Sequence, residues 1–494
     1  MLKQKITNDF VVYSLATYVT QAIGIVTSLS MRYFLDPASM GRWALLEFLL
    51  GYGLYANVGV LQSLTTELPI NVGRNDTEKV RDLRDVSLTF VIGMCSIVGI
   101  FFILAAFFLK TDSAELRIGL AVTAFLLIGT AYYNFHISLM QAEKRFVLLS
   151  QAIMLNAALF LILILTLVSR FKLIGLLASV LLSNLITIFF VQIRSKTRFH
   201  LTLKKNVLAE LVKAGLPLMA VGFAYSTFMG IDRLMITRYL GLTSLGYYSI
   251  ALLAMTYADV IPNILSIVIF PNMQESFGQS GSYKSAGQFV LKPTLLSAYG
   301  TPVFLGLAYF TVPYLVQTFL PKYLPGLSSM RICLVGVFFL ALAHGIYTYL
   351  MTIYKRMHHI PILVCGMIVS AGASAFFIHR GMGLEGVAIG MSVGFFSYYS
   401  ILFFYVFRHF CTLRETVFYY AETIFCFVYF AAGLYGVSRI SQMNSAFLDW
   451  GMRACLFIMF CLPLFWRIEV KTSALTLLAK TLVDWTKTRE KKIA

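Results

Sequence analysis

From residue 86 to residue 109 the chain reads VSLTFVIGMCSIVGIFFILAAFFL, without a single charge. As an α-helix rising about 1.5 Å per residue, this run would extend about 36 Å. That exceeds the ~30 Å hydrocarbon core of a bilayer. No strand-like alternation competes over such a length. Similar runs occupy residues 10–31, 43–64, 117–140, 147–169, 173–193, 214–237, 248–270, 291–312, 329–350, 361–379, 385–407, 417–437 and 450–466. The expected fold is therefore an all-α polytopic membrane protein with about fourteen transmembrane helices.

Composition agrees. Of 494 residues, 59% are hydrophobic, 15% aromatic and 13% charged. A soluble domain is roughly 45–50% apolar and about 25% charged, so this chain has too many apolar side chains to hide in water. The connectors are short; the largest are 65–85, 194–213, 271–290 and the tail from Arg467. None houses a catalytic domain, and a non-enzyme is expected. The seven cysteines form no Cys-x-x-Cys pair and mostly sit in apolar runs, as buried hydrophobes do. No metal cluster, cofactor motif or Gly-x-x-x-x-Gly-Lys loop is present in the sequence. The start, MLKQKITNDF, has no cleavage site after a short apolar core, and the first helix is expected to be retained.

The formal charge of +18 is distributed by side. With the N-terminus inside, the inner segments carry Lys3, Lys5, Arg74, Lys79, Arg81, Arg84, Lys144, Arg145, Arg194, Lys196, Arg198, Lys204, Lys205, Lys213, Lys284, Lys355, Arg356, Arg408 and Arg414. The tail adds seven more between Arg467 and Lys492. Outer segments are poorer, with Arg32, Arg42, Lys110, Arg117, Arg170, Lys172, Lys322, Arg380 and Arg439. This asymmetry predicts both termini on the cytoplasmic side. It accounts for the charge without nucleic acid. In the tail, Leu475, Leu478, Leu482 and Trp485 share one helical face, which suits either an interfacial helix or a frayed basic end.

The halves resemble each other. Leu139-Met140 and Lys144-Arg145 recur 211 residues later as Leu350-Met351 and Lys355-Arg356. Leu173-x-Gly175 recurs at the same offset as Leu384-x-Gly386. Arg32-Tyr33 with Ser39-Met40-Gly41 matches Arg238-Tyr239 with Ser244-Leu245-Gly246 at offsets of 206 and 205. The offset contains six spans, an even number, so both copies enter the membrane in one sense. Parallel repeats are related by an axis along the membrane normal. The expected organisation is a lobe over 1–200, a second over 201–410, two added helices over 411–466 and a basic tail over 467–494.

These residues also resemble a family. Ser30-Met31-Arg32-Tyr33-Phe34-Leu35-Asp36-Pro37 followed by Met40-Gly41 resembles the opening of bacterial polysaccharide flippases. So do Gly215-x-Pro217, Asp232-Arg233, Tyr239-Leu240-Gly241 and Leu245-Gly246-Tyr247-Tyr248. Pro321-Lys322-Tyr323 and Gly383-Leu384-Glu385-Gly386-Val387-Ala388 complete the set. The branch is the oligosaccharide (O-antigen, Wzx-type) flippases, in the superfamily that also holds multidrug antiporters and lipid II flippases. The resemblance implies movement of undecaprenyl-diphosphate-linked sugars across the bacterial inner membrane. It also implies an ion gradient, H+ or Na+, as the drive, and contact with membrane lipids and other polysaccharide-assembly proteins.

Charges inside spans are costly, ~2.5–3.5 kcal/mol on insertion scales, and favour a wet path or a partner. Arg32, Glu47, Asp232, Arg233, Asp259 and Arg331 are the candidates. By helical rise, Asp232 lies about 8 Å and Asp259 about 16 Å below the outer ends of their spans. Pro262 follows Asp259 and can kink its helix. In a flippase, Arg32, Arg233 and Arg331 would bind the diphosphate or an acidic sugar. Glu47, Asp232 and Asp259 would balance them or take up the coupling ion. A structural reading stands beside this one: neighbouring Asp232 and Arg233 point about 100° apart and each pairs with a neighbouring helix, while Arg32, Glu47 and Arg331 snorkel. His136 and His344 fit neutral, hydrogen-bonded histidines, and His358-His359 a solvated loop. Asn75-Asp76-Thr77 is a glycosylation triplet by chance, given its inner position. Two other functions compete. A multidrug antiporter would favour an acidic cleft, whereas the spans here hold as many bases as acids. A membrane polymerase or ligase would need a large outer loop.

Overall fold

The computed structural model describes residues 2–108, 114–195, 199–353, 355–440 and 445–472, with side chains described except at 2–11, 259–272, 465 and 468–472. Lys110, Lys196, Arg198 and the 473–494 part of the tail, including its amphipathic stretch, lie outside the described residues. Among the described residues, sixteen α-helices follow one another. They are α1 (Leu2–Phe34), α2 (Pro37–Leu54), α3 (Val60–Gly73), α4 (Thr77–Phe108), α5 (Ala114–Ala142), α6 (Phe146–Leu163), α7 (Ser169–Ser195) and α8 (Lys205–Phe228). Then come α9 (Ile231–Tyr239), α10 (Leu242–Ser280), α11 (Tyr283–Phe319), α12 (Leu327–Thr352), α13 (His359–His379), α14 (Gly383–Phe407), α15 (Leu413–Ser438) and α16 (Ala446–Thr472).

The stretch 86–109 shows why these helices need lipid. Cys95, Gly99, Phe102 and Ala106 form the buried face of α4. Ile97, Phe101, Leu104 and Phe108 form the opposite face and are 51–72% exposed. A continuous apolar face of that size is unstable against water and stable against acyl chains.

Among the described residues, eleven helices are long and apolar enough to cross a membrane, or twelve if the bent pair α2–α3 is one span. The expected count of about fourteen is not reached, for two reasons. Residues 146–195 form a single 50-residue helical stretch by length and composition. Its backbone reverses at Lys172, which adopts φ 48 and ψ −124. Asn156 Nδ2 then donates to Asn184 Oδ1 at 3.1 Å. A straight helix would hold those residues about 42 Å apart, so α6 and α7 run side by side. In α10, the side chains at 259–272 lie outside the described residues.

The chain packs as two compact units, residues 1–247 and 248–494. The sequence repeat divides the lobes after residue 200, but α8 and α9 pack with the first unit. A Cβ on Gly215 of α8 would overlap the Gly59 carbonyl oxygen. Gly59 itself sits at φ +82, a left-handed conformation that L side chains adopt at a cost. In the second unit, α12, α13 and α14 approach through small residues: Gly390 meets Ser374 and Gly394 meets Ser370. Such pairs let membrane helices pack backbone to backbone. Around them Phe338 and Phe339 of α12 contact Phe427 and Phe430 of α15.

The turn from α1 to α2 starts the candidate site. Asp36 caps α2, accepting from the backbone N–H groups of Ala38 at 3.1 Å and Ser39 at 3.2 Å, with Pro37 in the first turn. Partial burial would raise the Asp36 carboxyl, but hydrogen bonds from Ser39 and Ala38 outweigh it and hold the group below the usual carboxylate range. A lowered pKa contributes stability above the unfolded value, and the contribution is lost as pH falls through the folded one. Asp36→Ala is expected to cost about 1 kcal/mol at neutral pH. The gap in thermal midpoint between this variant and the parent should close below about pH 4. An equal gap at pH 3 and pH 7 would contradict the cap.

Candidate functional site

Two helices of the first unit are broken, and Glu47, Asp232 and Arg233 lie on them. The α2–α3 pair bends by 45°. Val58 has φ 49 and Gly59 φ 82 at the break. Asn57 supports the break from within: its Nδ2 donates to the Leu54 carbonyl at 2.7 Å and its Oδ1 accepts from Gly59 N–H at 2.8 Å. The second break separates α8 from α9 at Met229 and Gly230. Irregular backbone within a bilayer is tolerated where it lines a cavity or is buried in protein.

The two broken helices touch along their lengths. Tyr55 donates to the Gly222 carbonyl at 3.0 Å and lies 2.6 Å from Ser226 Oγ. Phe223 meets Tyr52 and Tyr55 edge-on, at centroid distances of 5.5 and 5.2 Å. Phe48 stacks at a tilt on Tyr52 at 4.6 Å. A Cβ on Gly230 would strike the Phe48 ring.

Beside this aromatic wall stand three of the predicted charges. Glu47 of α2 is accessible, and the guanidinium charges acting on its carboxylate are those of Arg233 and Arg32. Arg233 also acts on Tyr52. Arg233 is half-buried, and its Nη1 donates to the Met229 carbonyl at 3.0 Å across the break. Arg32 is 5% exposed, and its Nη1 donates to the Ser28 carbonyl at 2.9 Å. The site therefore combines one carboxylate with two guanidiniums that act on it electrostatically, charges an anionic ligand could engage.

The other predicted residues are placed differently. Asp232 is fully buried, and its Oδ1 accepts from Arg233 N–H at 2.7 Å. It therefore faces protein. Arg331 is exposed in the first turn of α12, over the Tyr309 ring at 5.5 Å, in the second unit. The side chain of Asp259 lies outside the described residues. His136 is buried among Tyr132, Phe135 and Phe199. No group of three potential metal-binding side chains occurs among the described residues.

Two features escaped the sequence reading. Tyr52 and Tyr55 carry no charge, so insertion cost does not select them, although Asn57-Val58-Gly59 follows them within the apolar run. Glu422 was passed over as well. It lies in the apolar run 417–437 and is 9% exposed, accepting a hydrogen bond from Tyr299 of α11. The cost of an intramembrane carboxylate would have selected it.

The starts of α2 and α10 meet in a reciprocal contact. Pro37 and Gly41 on one turn correspond, at an offset of 205, to Leu242 and Gly246 on another. A Cβ on Gly41 would overlap the Leu242 carbonyl oxygen, and one on Gly246 the Pro37 carbonyl oxygen. Each repeat-equivalent glycine thus seats against its counterpart's helix start, the pattern of a two-fold contact.

A family model described as polysaccharide biosynthesis protein matches residues 72–324. The chain belongs to this family. No curated protein matches it in sequence. Among solved structures it is similar to a multidrug resistance MATE family transporter of the MOP superfamily in an inward-facing conformation, at 14% identity and a TM-score of 0.70, over 83% of this chain and 99% of the other. It is also similar to the lipid II flippase MurJ in an inward closed conformation, at 13% identity and a TM-score of 0.67, over 93% of this chain and all of the other. A MOP superfamily transporter from Pyrococcus furiosus shares the fold at 16% identity and a TM-score of 0.56, over 81% and 95%. This member of the polysaccharide biosynthesis family is therefore a multi-pass membrane protein with the two-lobed fold of MOP transporters and flippases. The resemblance read from the sequence agrees with both findings.

Proposed function

We propose that this chain is a flippase for undecaprenyl-diphosphate-linked oligosaccharide, the repeat unit of O-antigen or another surface polysaccharide. It moves the unit from the inner to the outer leaflet of the bacterial inner membrane by alternating access. Both termini are cytoplasmic, H+ or Na+ is the coupling ion, and neighbouring polysaccharide-assembly proteins receive the product. The observation that carries this reading is Arg32 at the end of α1 acting, with Arg233, on Glu47, the last two on broken helices beside an aromatic wall. Two guanidiniums suit a diphosphate, and Tyr52, Tyr55 and Phe223 suit the apolar faces of sugar rings. When the ligand takes the cations, Glu47 is released to bind the coupling ion. Asp232 supports the backbone of Arg233. Arg331 adds an outer cation, Asp259 a second carboxylate, and residues 411–466 guide the polyprenyl tail. A lobe over 1–200 and another over 201–410 supply the rocking bodies, and 467–494 lies on the inner leaflet. A cation antiporter fits less well, because guanidiniums flank the accessible carboxylate.

Deletion of the gene tests the reading. The expected result is loss of one surface glycan with accumulation of its lipid-linked unit on the inner leaflet. An unchanged surface glycan profile with no accumulation would reject it.

A further inference from the structure

The first unit contains an apolar cavity of about 500 Å³ that the transport site does not use. Its walls are Leu88 and Ile92 of α4, Phe125 and Gly129 of α5, and Leu181 and Leu185 of α7. The polar atom nearest its lining is the hydroxyl of Tyr132, which accepts a hydrogen bond from Gln192. A space of this size lies within the ~300–1,000 Å³ of small-molecule sites. With so little polar lining, water gains few partners there. Phe125 and Leu185 are 58% and 45% exposed on helices whose outer faces require lipid, so the cavity opens toward acyl chains.

Its position along the membrane is asymmetric. The segment after α7 crosses over α4, where Thr202 N–H donates to Thr89 Oγ1 at 3.0 Å. This places Leu201, itself a lining residue, at the end the charge distribution assigns to the cytoplasm. One helical turn before Leu88 stands Arg84, its guanidinium 5.5 Å from the Phe199 ring and 3.7 Å from Asp85. Arg81 reaches the same Asp85, and Lys204 pairs with Asp82 at 2.6 Å. Arg194 lies over Phe190, two residues from the Gln192 that bonds Tyr132. Two arginines thus share the Asp85 carboxylate at this end, with Arg194 and Lys204 as further cations and His200 exposed. A slot with an apolar body and a cationic inner end matches an anionic amphiphile.

Positions 211 residues after Phe125 and Leu181 are Gly336 and Ser392. There a Cβ on Gly336 would overlap the Ser392 hydroxyl, so α12 and α14 close directly on each other at the point where α5 and α7 leave room.

We propose that this cavity is a binding site for one acyl chain of an anionic glycerophospholipid of the inner leaflet, with its phosphate at Arg84 and Arg194. The test uses the full chain in nanodiscs of phosphatidylcholine with a trace of phosphatidylglycerol carrying a diazirine in one acyl chain. After irradiation, mass spectrometry should find the label on peptides around Leu88–Ile92 and Leu181–Leu185. Unlabelled phosphatidylglycerol should compete at least five-fold better than phosphatidylcholine. Gly129→Trp, whose Cβ position lies 3.1 Å from Leu181 Cδ1, and Leu185→Trp should each cut that labelling at least five-fold. Arg84→Gln should narrow the competition. If Gly129→Trp does not purify as a folded protein, Leu185→Trp decides alone. Label spread evenly over the lipid-facing surface, equal competition by both lipids, or unchanged labelling in a folded filled variant would overturn the assignment. So would stronger competition by undecaprenyl phosphate, which would identify a polyprenyl occupant. None of these outcomes bears on glycan export.

Discussion

Arg233→Gln is expected to reduce export of the surface glycan to about a tenth of the parental level or less. Charge-assisted hydrogen bonds contribute about 1.5–3 kcal/mol each, and about 1.4 kcal/mol is tenfold. The expectation rests on where this guanidinium lies. It acts on Glu47, is tied to the Met229 carbonyl at the break between α8 and α9, and belongs to a half-buried side chain. Its removal takes away one of two cations available to a diphosphate and leaves Arg32 alone beside Glu47. Arg233→Lys keeps the charge and loses the planar fork, so an intermediate export level is expected. Glu47→Gln should impair cycling more than binding, because it removes the carboxylate that answers the cations. Export is read as surface glycan in a deletion strain carrying each variant, with membrane abundance as the folding control. Parental export in Arg233→Gln at parental abundance would remove this group from the mechanism.

Gly246→Val and Gly41→Val are expected to destabilise the protein by about 3 kcal/mol or more and to abolish export. Overpacking ordinarily costs ~1–3 kcal/mol. Here the obstacle is backbone: the Pro37 carbonyl for Gly246 and the Leu242 carbonyl for Gly41. A carbonyl bonded into the first turn of a helix cannot rotate away as a side-chain end does. Gly241, in the same turn as Gly246, provides the control. It has φ +83 but nothing within 4 Å of its Cβ position. Gly241→Ala should therefore cost only the left-handed strain, about 1 kcal/mol. Thermal midpoints in detergent would separate the two effects. Similar small shifts for Gly246→Val and Gly241→Ala would mean that the two turns do not seat against each other.

Much of the membrane architecture was legible before any coordinates. Charge-free runs of helical length locate most helices because a bilayer offers no partner for an open backbone. The repeat offset of 205 between Gly41 and Gly246 identified two equivalent turns. Helix interruptions were less legible. At Leu54–Gly59 only Asn57 and Gly59 interrupt the apolar pattern, and Val58 and Gly59 leave helical geometry there. The run 146–195 likewise divides at Lys172, where a single residue takes an unfavourable backbone conformation for the helices to lie side by side.

For the candidate site, hydrophobicity selected the right kind of residue and could not sort the individuals. Insertion cost marks Arg32, Glu47, Asp232 and Arg233 alike, because a charge in an apolar run carries the same cost whichever way it points. Packing separates them: Glu47 is exposed and acted on by two guanidiniums, whereas Asp232 is wholly enclosed.

Residue type and order alone determined that the chain lives in lipid and that it is helical, since these follow from transfer free energies summed along the chain. The meeting of Gly41 with Leu242, the aromatic wall of Tyr52, Tyr55 and Phe223, and the arginine pair on Glu47 came only with the folded chain. Each depends on contacts between residues some 170 to 200 positions apart, or on the facing direction of one side chain, and a linear pattern contains neither.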